Sequence, residues 1–297
     1  KGFRPKTRSA VRRNEAASHA AFFSTSKAAA IGAENDSDNE QVASAAVLQV
    51  LLDYRLKKTI PWFMLNQGGI QEAQVNGAAV AAFEWKDEER ENVSHREMLN
   101  ETGDTVLDED GEAMYEEVTS SEVLKDEPEM RLVPLENFRI DPGADWTDPV
   151  NSSPYTIELM PMYVGDILTK METIDPKTGE PEWRKMSIAE IQSAESYEFD
   201  TTRMAREGKR EDPKDNRGQG VSIYHTAWVR KTIVRKNGED WLYYTLGSQF
   251  LLSEPKLLKE VYLHGMRPYV MGICVLEAFR NYPSGIVELG ETLQVSA

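Results

Sequence analysis

One cysteine, Cys274, and four histidines are all that 297 residues hold of the two commonest soft metal ligands. A single thiol excludes an internal disulfide and any CxxC metal site, and fits a reducing compartment. It lies in the apolar run Val270-Met-Gly-Ile-Cys-Val-Leu276, where the expectation is a buried thiol in a strand. His19, His95, His225 and His264 are never three or four residues apart, so no helical turn offers two imidazoles to one metal. No uncharged apolar run reaches about 18 residues, which leaves no membrane-spanning helix. The GxxxxGK-Ser/Thr and GxGxxG phosphate loops are missing, so a nucleotide-driven motor is unsupported. Neither GxSxG nor HExxH occurs. No cofactor is expected.

Acidic residues, by contrast, are abundant, and the net charge is -16. The excess is local. From Lys86 to Glu129 there are 17 acidic and 4 basic residues, whereas Lys1 to Lys27 carries seven basic and one acidic. An EF-hand needs an oxygen ligand at position one and Gly at position six. Counting back from Gly111 or Gly179 places Val106 or Ile174 there, and both fail. Runs such as Asp108-Glu-Asp110 read as solvated, and a general acid needs burial to raise its pKa. No catalytic pair and no metal site is assigned. A uniformly basic groove for holding DNA is also missing.

At 40% hydrophobic and 28% charged, the chain can bury real cores, and its length suits roughly two compact units. Beginning at Lys1 and stopping as a helical pattern starts, it reads as a piece of a longer chain. A helix is expected over Arg8 to Ala30. Asp38 or Asn39 can cap the next helix, where Ala43, Ala46, Val47, Val50, Leu51 and Tyr54 recur at helical spacing. Lys57 and Lys58 suit its C-terminal dipole. Pro61 opens a third helix, which Gly77 ends. A strand Ala79–Trp85 follows, then an acidic loop or hairpin. Strand signals return at 130–133, 138–140 and 155–160, with a turn at Asp141-Pro-Gly-Ala. Short helices are expected at 164–173 and from Ser187, and Gly208 to Gly220 reads as a linker. Beyond it, Asn237-Gly238 between two β-rich runs is a hairpin signal. A strand over 268–273 and a helix from Gly285 complete the pattern.

The order of these pieces resembles the portal proteins of short-tailed, podovirus-type bacteriophages. Glu72-Ala-Gln-Val-Asn-Gly-Ala-Ala-Val-Ala-Ala-Phe-Glu-Trp85 is similar to a family segment of type A-x-x-x-G-x-x-V-x-x-x-x-W. Val133-Pro-Leu-Glu-Asn-Phe-Arg-Ile-Asp-Pro-Gly-Ala-Asp145 is similar to the family's strand followed by DP-x-A, with Trp146-Thr-Asp148 after it. Tyr224 to Val229, Trp241 to Leu252 and His264 to Val270 resemble the β-rich clip. Tyr282 to Gln294 resembles the start of the channel-facing helix. Each motif is short, and their order carries the resemblance. Ser284-Gly285-Ile286 departs from the commoner Gly-x-Ser arrangement.

The resemblance implies an α+β, portal-type fold with a helical/β wing, stem helices and a small β-rich clip. Residues 1–85 would be the N-terminal wing part and 86–129 the acidic insertion. Residues 130–184 would be a mixed wing part, 185–219 a helix and charged linker, 220–280 the clip and 281–297 the start of the stem helix. It also implies a non-enzymatic subunit of a closed ring, expected to be a dodecamer, in the virion. The implied partners are capsid and scaffolding proteins, a large terminase ATPase, head-completion or tail adaptors, and double-stranded DNA threaded without sequence specificity. No membrane is involved. Tyr224, Trp228, Tyr243 and Tyr244 would bury against neighbours or adaptors, or else fill the clip's own core. Arg203, Arg206, Lys209 and Arg210, interrupted by acids, form either a solvated segment or a contact with DNA, motor or neighbour. Another virion adaptor module of mixed α/β fold is the alternative, and a metal-carboxylate hydrolase the third reading.

Overall fold

The computed structural model describes residues 6–25, 27–98, 113–175, 179–193, 226–247 and 249–295. It is a mixed architecture, 36% helical and 34% strand, in keeping with the α+β expectation. Two compact units are present. The first comprises Lys1–Ala29, Trp62–Ala82 and Arg131–Ala297, and the second Ala30–Pro61 and Phe83–Met130. Among the described residues no helix is long and apolar enough to cross a membrane.

The first unit is built on a sheet of antiparallel strands β3 (Phe138–Ile140), β4 (Tyr155–Tyr163), β5 (Thr226–Lys236), β6 (Glu239–Leu246) and β7 (Phe250–Leu251), with β8 (Lys256–Leu257) also pairing β6. Strands from the 130–184 and 220–280 stretches thus share one sheet, joined by the nine-position β4–β5 register from Tyr155↔Val234 to Tyr163↔Thr226. The β5–β6 turn behaves as its sequence demands. Asn237 (φ 55) and Gly238 (φ 83) supply the two left-handed residues that a tight right-twisted hairpin needs, and Lys236 faces Glu239 across it.

One face of this sheet is the core. Alternation along β5 turns Ala227, Val229, Lys231 and Ile233 inward, and all four are buried. Ile233 joins Phe138, Ile140, Leu242 and Tyr269 in one apolar cluster. Val229 and Ala227 join Leu246 and Trp183 in a second. Helix α5 (Val164–Glu172) lays Val164, Ile167 and Met171 on the second cluster, the three- and four-residue spacing of one helical face. Helix α6 (Ile188–Ser193) opens on a reciprocal cap, with the Ser187 N–H donating to Glu190 (2.7 Å) and the Glu190 N–H to Ser187 Oγ (3.3 Å).

Helices α1 (Lys6–Phe22), α3 (Trp62–Asn76) and α8 (Ile286–Val295) pack on one another. Short α7 (Leu258–Val261) packs on β6 and β8, and α4 (Pro149–Ser152) buries Pro149 and Val150. The first helix stops well before the expected Ala30. The Phe23 ring turns onto Phe63 at 5.1 Å, Ser24 Oγ donates to the Ala21 carbonyl and Thr25 Oγ1 to the Lys27 carbonyl. Such local bonds compete with helix continuation.

Strand β9 (Tyr269–Ile273) pairs antiparallel with residues 78–82 of β1 (Ala78–Glu97). Cys274 follows it and is exposed, which overturns the buried-thiol expectation. Pairing reaches only as far as Ile273, and Val270 and Leu276 of the same run also face outward. Burial nevertheless raises the thiol above its ordinary pKa of 9.0, so it reacts as an accessible but unactivated group. A maleimide should label one thiol per folded chain without denaturant at mildly alkaline pH. Labelling only after unfolding would contradict this placement.

In the second unit α2 (Asn39–Lys58) begins where expected. Asp38 accepts from the N–H groups of Glu40 (3.0 Å) and Gln41 (3.4 Å), and Arg55, Lys57 and Lys58 fill the last turn. The strand expected to end at Trp85 continues to Glu97 and returns as β2 (Tyr115–Val133). Cross-strand polar pairs hold the extension: Trp85 Nε1 to Asp126 (2.6 Å), Asn92 to Glu122 (3.0 Å), and Lys125 beside Glu88 (3.7 Å). Pro128 sits in β2, the edge strand, where its missing N–H is harmless.

Candidate functional site

Three of the segments that carry the resemblance meet at one junction of the first unit. Helix α3 ends at Gly77, whose φ of 90 lies in the region that L side chains avoid. Its backbone lies against the Pro283 carbonyl, so closely that a Cβ on Gly77 would stand 1.8 Å from that oxygen. Gly285, just before α8, lies against the same helix end, and a Cβ there would stand 2.3 Å from the Val75 carbonyl oxygen. Two glycines are therefore needed for two backbones to touch. The Cys274 N–H donates to the Gly77 carbonyl at 3.1 Å.

The turn after β3 is gripped from the same loop. Asn281, 5% exposed, donates its amide to the carbonyls of Pro142 and Ala144, both at 3.0 Å, and Asp141 at 3.4 Å. Within the turn, the Gly143 N–H donates to Asp141 Oδ1 at 2.8 Å, the local capture that favours Asp at such positions. Glu72 closes the third side, accepting from Asn76 (2.8 Å) and the Leu135 N–H (3.3 Å). A groove of about 490 Å³ opens beside the junction, lined by Asn76, Leu135, Arg139 and Tyr282 among others.

Two ionic frames stiffen the sheet beneath. Glu158, 2% exposed, lies opposite Lys231 in the β4–β5 register. It accepts from Arg131 on both oxygens and from the Tyr269 hydroxyl at 2.8 Å. Burial pushes the Tyr269 hydroxyl well above its ordinary value of 10.0, so it stays protonated and donates. Lys231 donates to Tyr262 at 2.9 Å and lies over the rings of Tyr262 and Tyr269. In the second frame Asp240 receives two bonds from Arg267, each 2.9 Å, and two from Arg235 at 3.1 and 3.3 Å. Arg267 also donates to the Val150 carbonyl, and Arg235 to that of Asn151. Both carboxylates are fully engaged by donors, an arrangement that suits scaffold groups more than groups poised to exchange protons. Strand alternation alone places Glu158 and Lys231 on the core side of their strands, but only strand pairing sets them face to face.

Among the described residues, the aromatic interface candidates Trp228, Tyr243 and Tyr244 are split between the two faces of the sheet. Tyr244 faces the core and packs on Trp183 at 5.5 Å, touching both apolar clusters. Trp228 and Tyr243, half-buried, fall on the opposite face by strand alternation, and Tyr243 on β6 pairs with Thr232, beyond residues 229–231 from Trp228 on β5. Tyr224, the basic residues Arg203, Arg206, Lys209 and Arg210, and the linker 208–220 lie outside the described residues. Among the described residues no three His, Cys, Asp or Glu are grouped to hold a metal ion. No protein-family model matches the chain, and no curated protein sequence matches it.

Proposed function

We propose that the chain is a structural subunit of a ring-shaped phage portal vertex, the conduit through which double-stranded DNA is packaged and ejected. One observation carries the reading. Segments 72–85, 133–145 and 282–294, each weakly similar to portal segments, contribute Gly77, the Asp141–Ala144 turn and Gly285 to a single junction. Their residue types have a common physical reason, namely close backbone approach and turn capture. Isolated chance similarities would lack that shared cause.

On this reading the mechanism is geometric. Subunits close into a ring, with twelve expected, by repeating one heterologous contact about an axis. DNA slides through the centre. An acidic or neutral channel lining repels phosphates instead of gripping them, which keeps translocation free of tight binding. A separate terminase ATPase supplies the work, and capsid, scaffolding and tail adaptor proteins dock outside, within the virion. Glu158 and Asp240, as scaffold groups, fit a part that bears load without chemistry.

Native mass spectrometry and electron microscopy of the full-length protein test this. The expected result is a closed ring with a central hole. A strictly monomeric protein at assembly concentrations, or unaided turnover of a substrate, would overturn it.

A further inference from the structure

The second unit has almost no core of its own. Among its described residues Ala45 alone is buried. The apolar stripe of α2 is in the open, with Val47 68%, Val50 72%, Leu51 50% and Tyr54 56% exposed. These four stand three and four residues apart, on one helical face. The spacing predicts a core-facing helix, and the helix forms, but among the described residues that face is left exposed. The hairpin of β1 and β2 likewise exposes Phe83, Trp85, Tyr115 and Leu124. A lone helix of this length and a two-stranded hairpin are each marginal in water, so this unit lacks the burial that ordinarily holds such elements in place.

Charge selects the missing partner. The hairpin residues 86–98 and 113–129 carry 11 acidic against 4 basic residues, which disfavours nucleic acid and anionic membrane. The same sequence carries a basic complement, since Lys6, Arg8, Arg12 and Arg13 of α1 are all exposed. We infer that the acidic hairpin and the apolar stripe of α2 together form a docking surface for a second copy of this chain, with the hairpin of one copy against the basic α1 of the next. The two patches are different surfaces. Association is then head-to-tail and propagates to a ring or filament instead of ending at a two-fold dimer. The charges set register and encounter rate, and burial of the stripe supplies the driving force. This inference rests on the reading of the chain as a ring subunit and names the contact that would close the ring.

Charge exchange on the full-length protein tests it by sedimentation velocity. Lys6→Glu, Arg8→Glu and Arg13→Glu form one variant, and Asp87→Lys, Glu116→Lys and Glu117→Lys the other. All six positions are exposed, so circular dichroism should match the wild type in each. Each triple variant should shift to the monomer peak at a salt concentration where the wild type is assembled. Combining all six substitutions should restore the assembled peak, and hydrogen exchange in α2 should slow only in assembled samples. If the wild type assembles and the triple variants assemble equally well, this contact is wrong and the ring reading stands. Those variants would then point to a different protein, or α1 of the same chain, as occupant. Failure of the six-fold variant to reassemble would also overturn it. A wild type that never assembles would sink both readings.

Discussion

Gly77→Ala is expected to cost about 4 kcal/mol or more, which places it in the rare class of severe single substitutions. For a chain of this size that lowers the melting temperature by on the order of 10 °C. Two independent penalties coincide. The φ of 90 is strained for any L side chain, and the added methyl would meet backbone, the Pro283 carbonyl, with no flexible side chain to give way. Gly285→Ala belongs beside it, because its methyl would meet the carbonyls of Val75 and Gln74. Two other glycines separate the causes. Gly238 has φ 83 with open space around it, so its alanine variant should cost only about 1 kcal/mol, the conformational part. Gly32 has neither a positive φ nor a neighbour within 4 Å, and its alanine variant should be neutral or slightly stabilising. Urea unfolding of the four variants ranks them. If Gly77→Ala proved no worse than Gly238→Ala, the junction as described would be wrong.

Asp240→Asn should remove about 3 kcal/mol, because it leaves the buried Arg267 guanidinium without its counter-charge. The same substitution should change how stability responds to acid. Burial alone would raise the Asp240 carboxyl, but hydrogen bonds from Arg267 and Arg235 outweigh it and hold the group below its ordinary value of 3.8. A depressed folded value means that the native state binds fewer protons than the unfolded chain as the group begins to titrate. The stability it contributes is complete above the unfolded pKa and drains as pH falls through the folded one. The wild type should therefore lose part of its stability below about pH 4, and Asp240→Asn should flatten that limb while lowering the plateau near neutrality. An acid limb unchanged by the substitution would show that Asp240 is not paired as described. Arg235, partly exposed, should matter less than Arg267, whose side chain is wholly covered.

Much of the local structure was legible before any fold was known. Asp38 caps α2 because its carboxylate reaches two free N–H groups, and Gly77 stops α3 because it tolerates a left-handed backbone. Asn237-Gly238 turns the β5–β6 hairpin for the same reason. The end of α1 is not legible locally, because Phe23 finds Phe63, a partner forty residues away in the chain. The exposure of Cys274 is not legible either, because an apolar run does not say where strand pairing stops. At the candidate junction, the motif segments were visible but their meeting was not. Asn281 gives no sign in sequence that its amide will hold the turn at 142–144. The ionic frames were hidden likewise, since Glu158 and Lys231 read as ordinary charges until strand pairing sets them face to face.

Properties that depend on a few consecutive residues, such as caps, turns, helical spacing and charge blocks, followed from amino-acid chemistry alone. Their energetics are local, so nearby side chains decide them. Which strands share a sheet, which carboxylates are buried and which apolar face goes uncovered depended on contacts between residues scores of positions apart. Those contacts are chosen by burial and packing over the whole chain, and for that reason α2 could be read as a helix from its residues while its uncovered face could not.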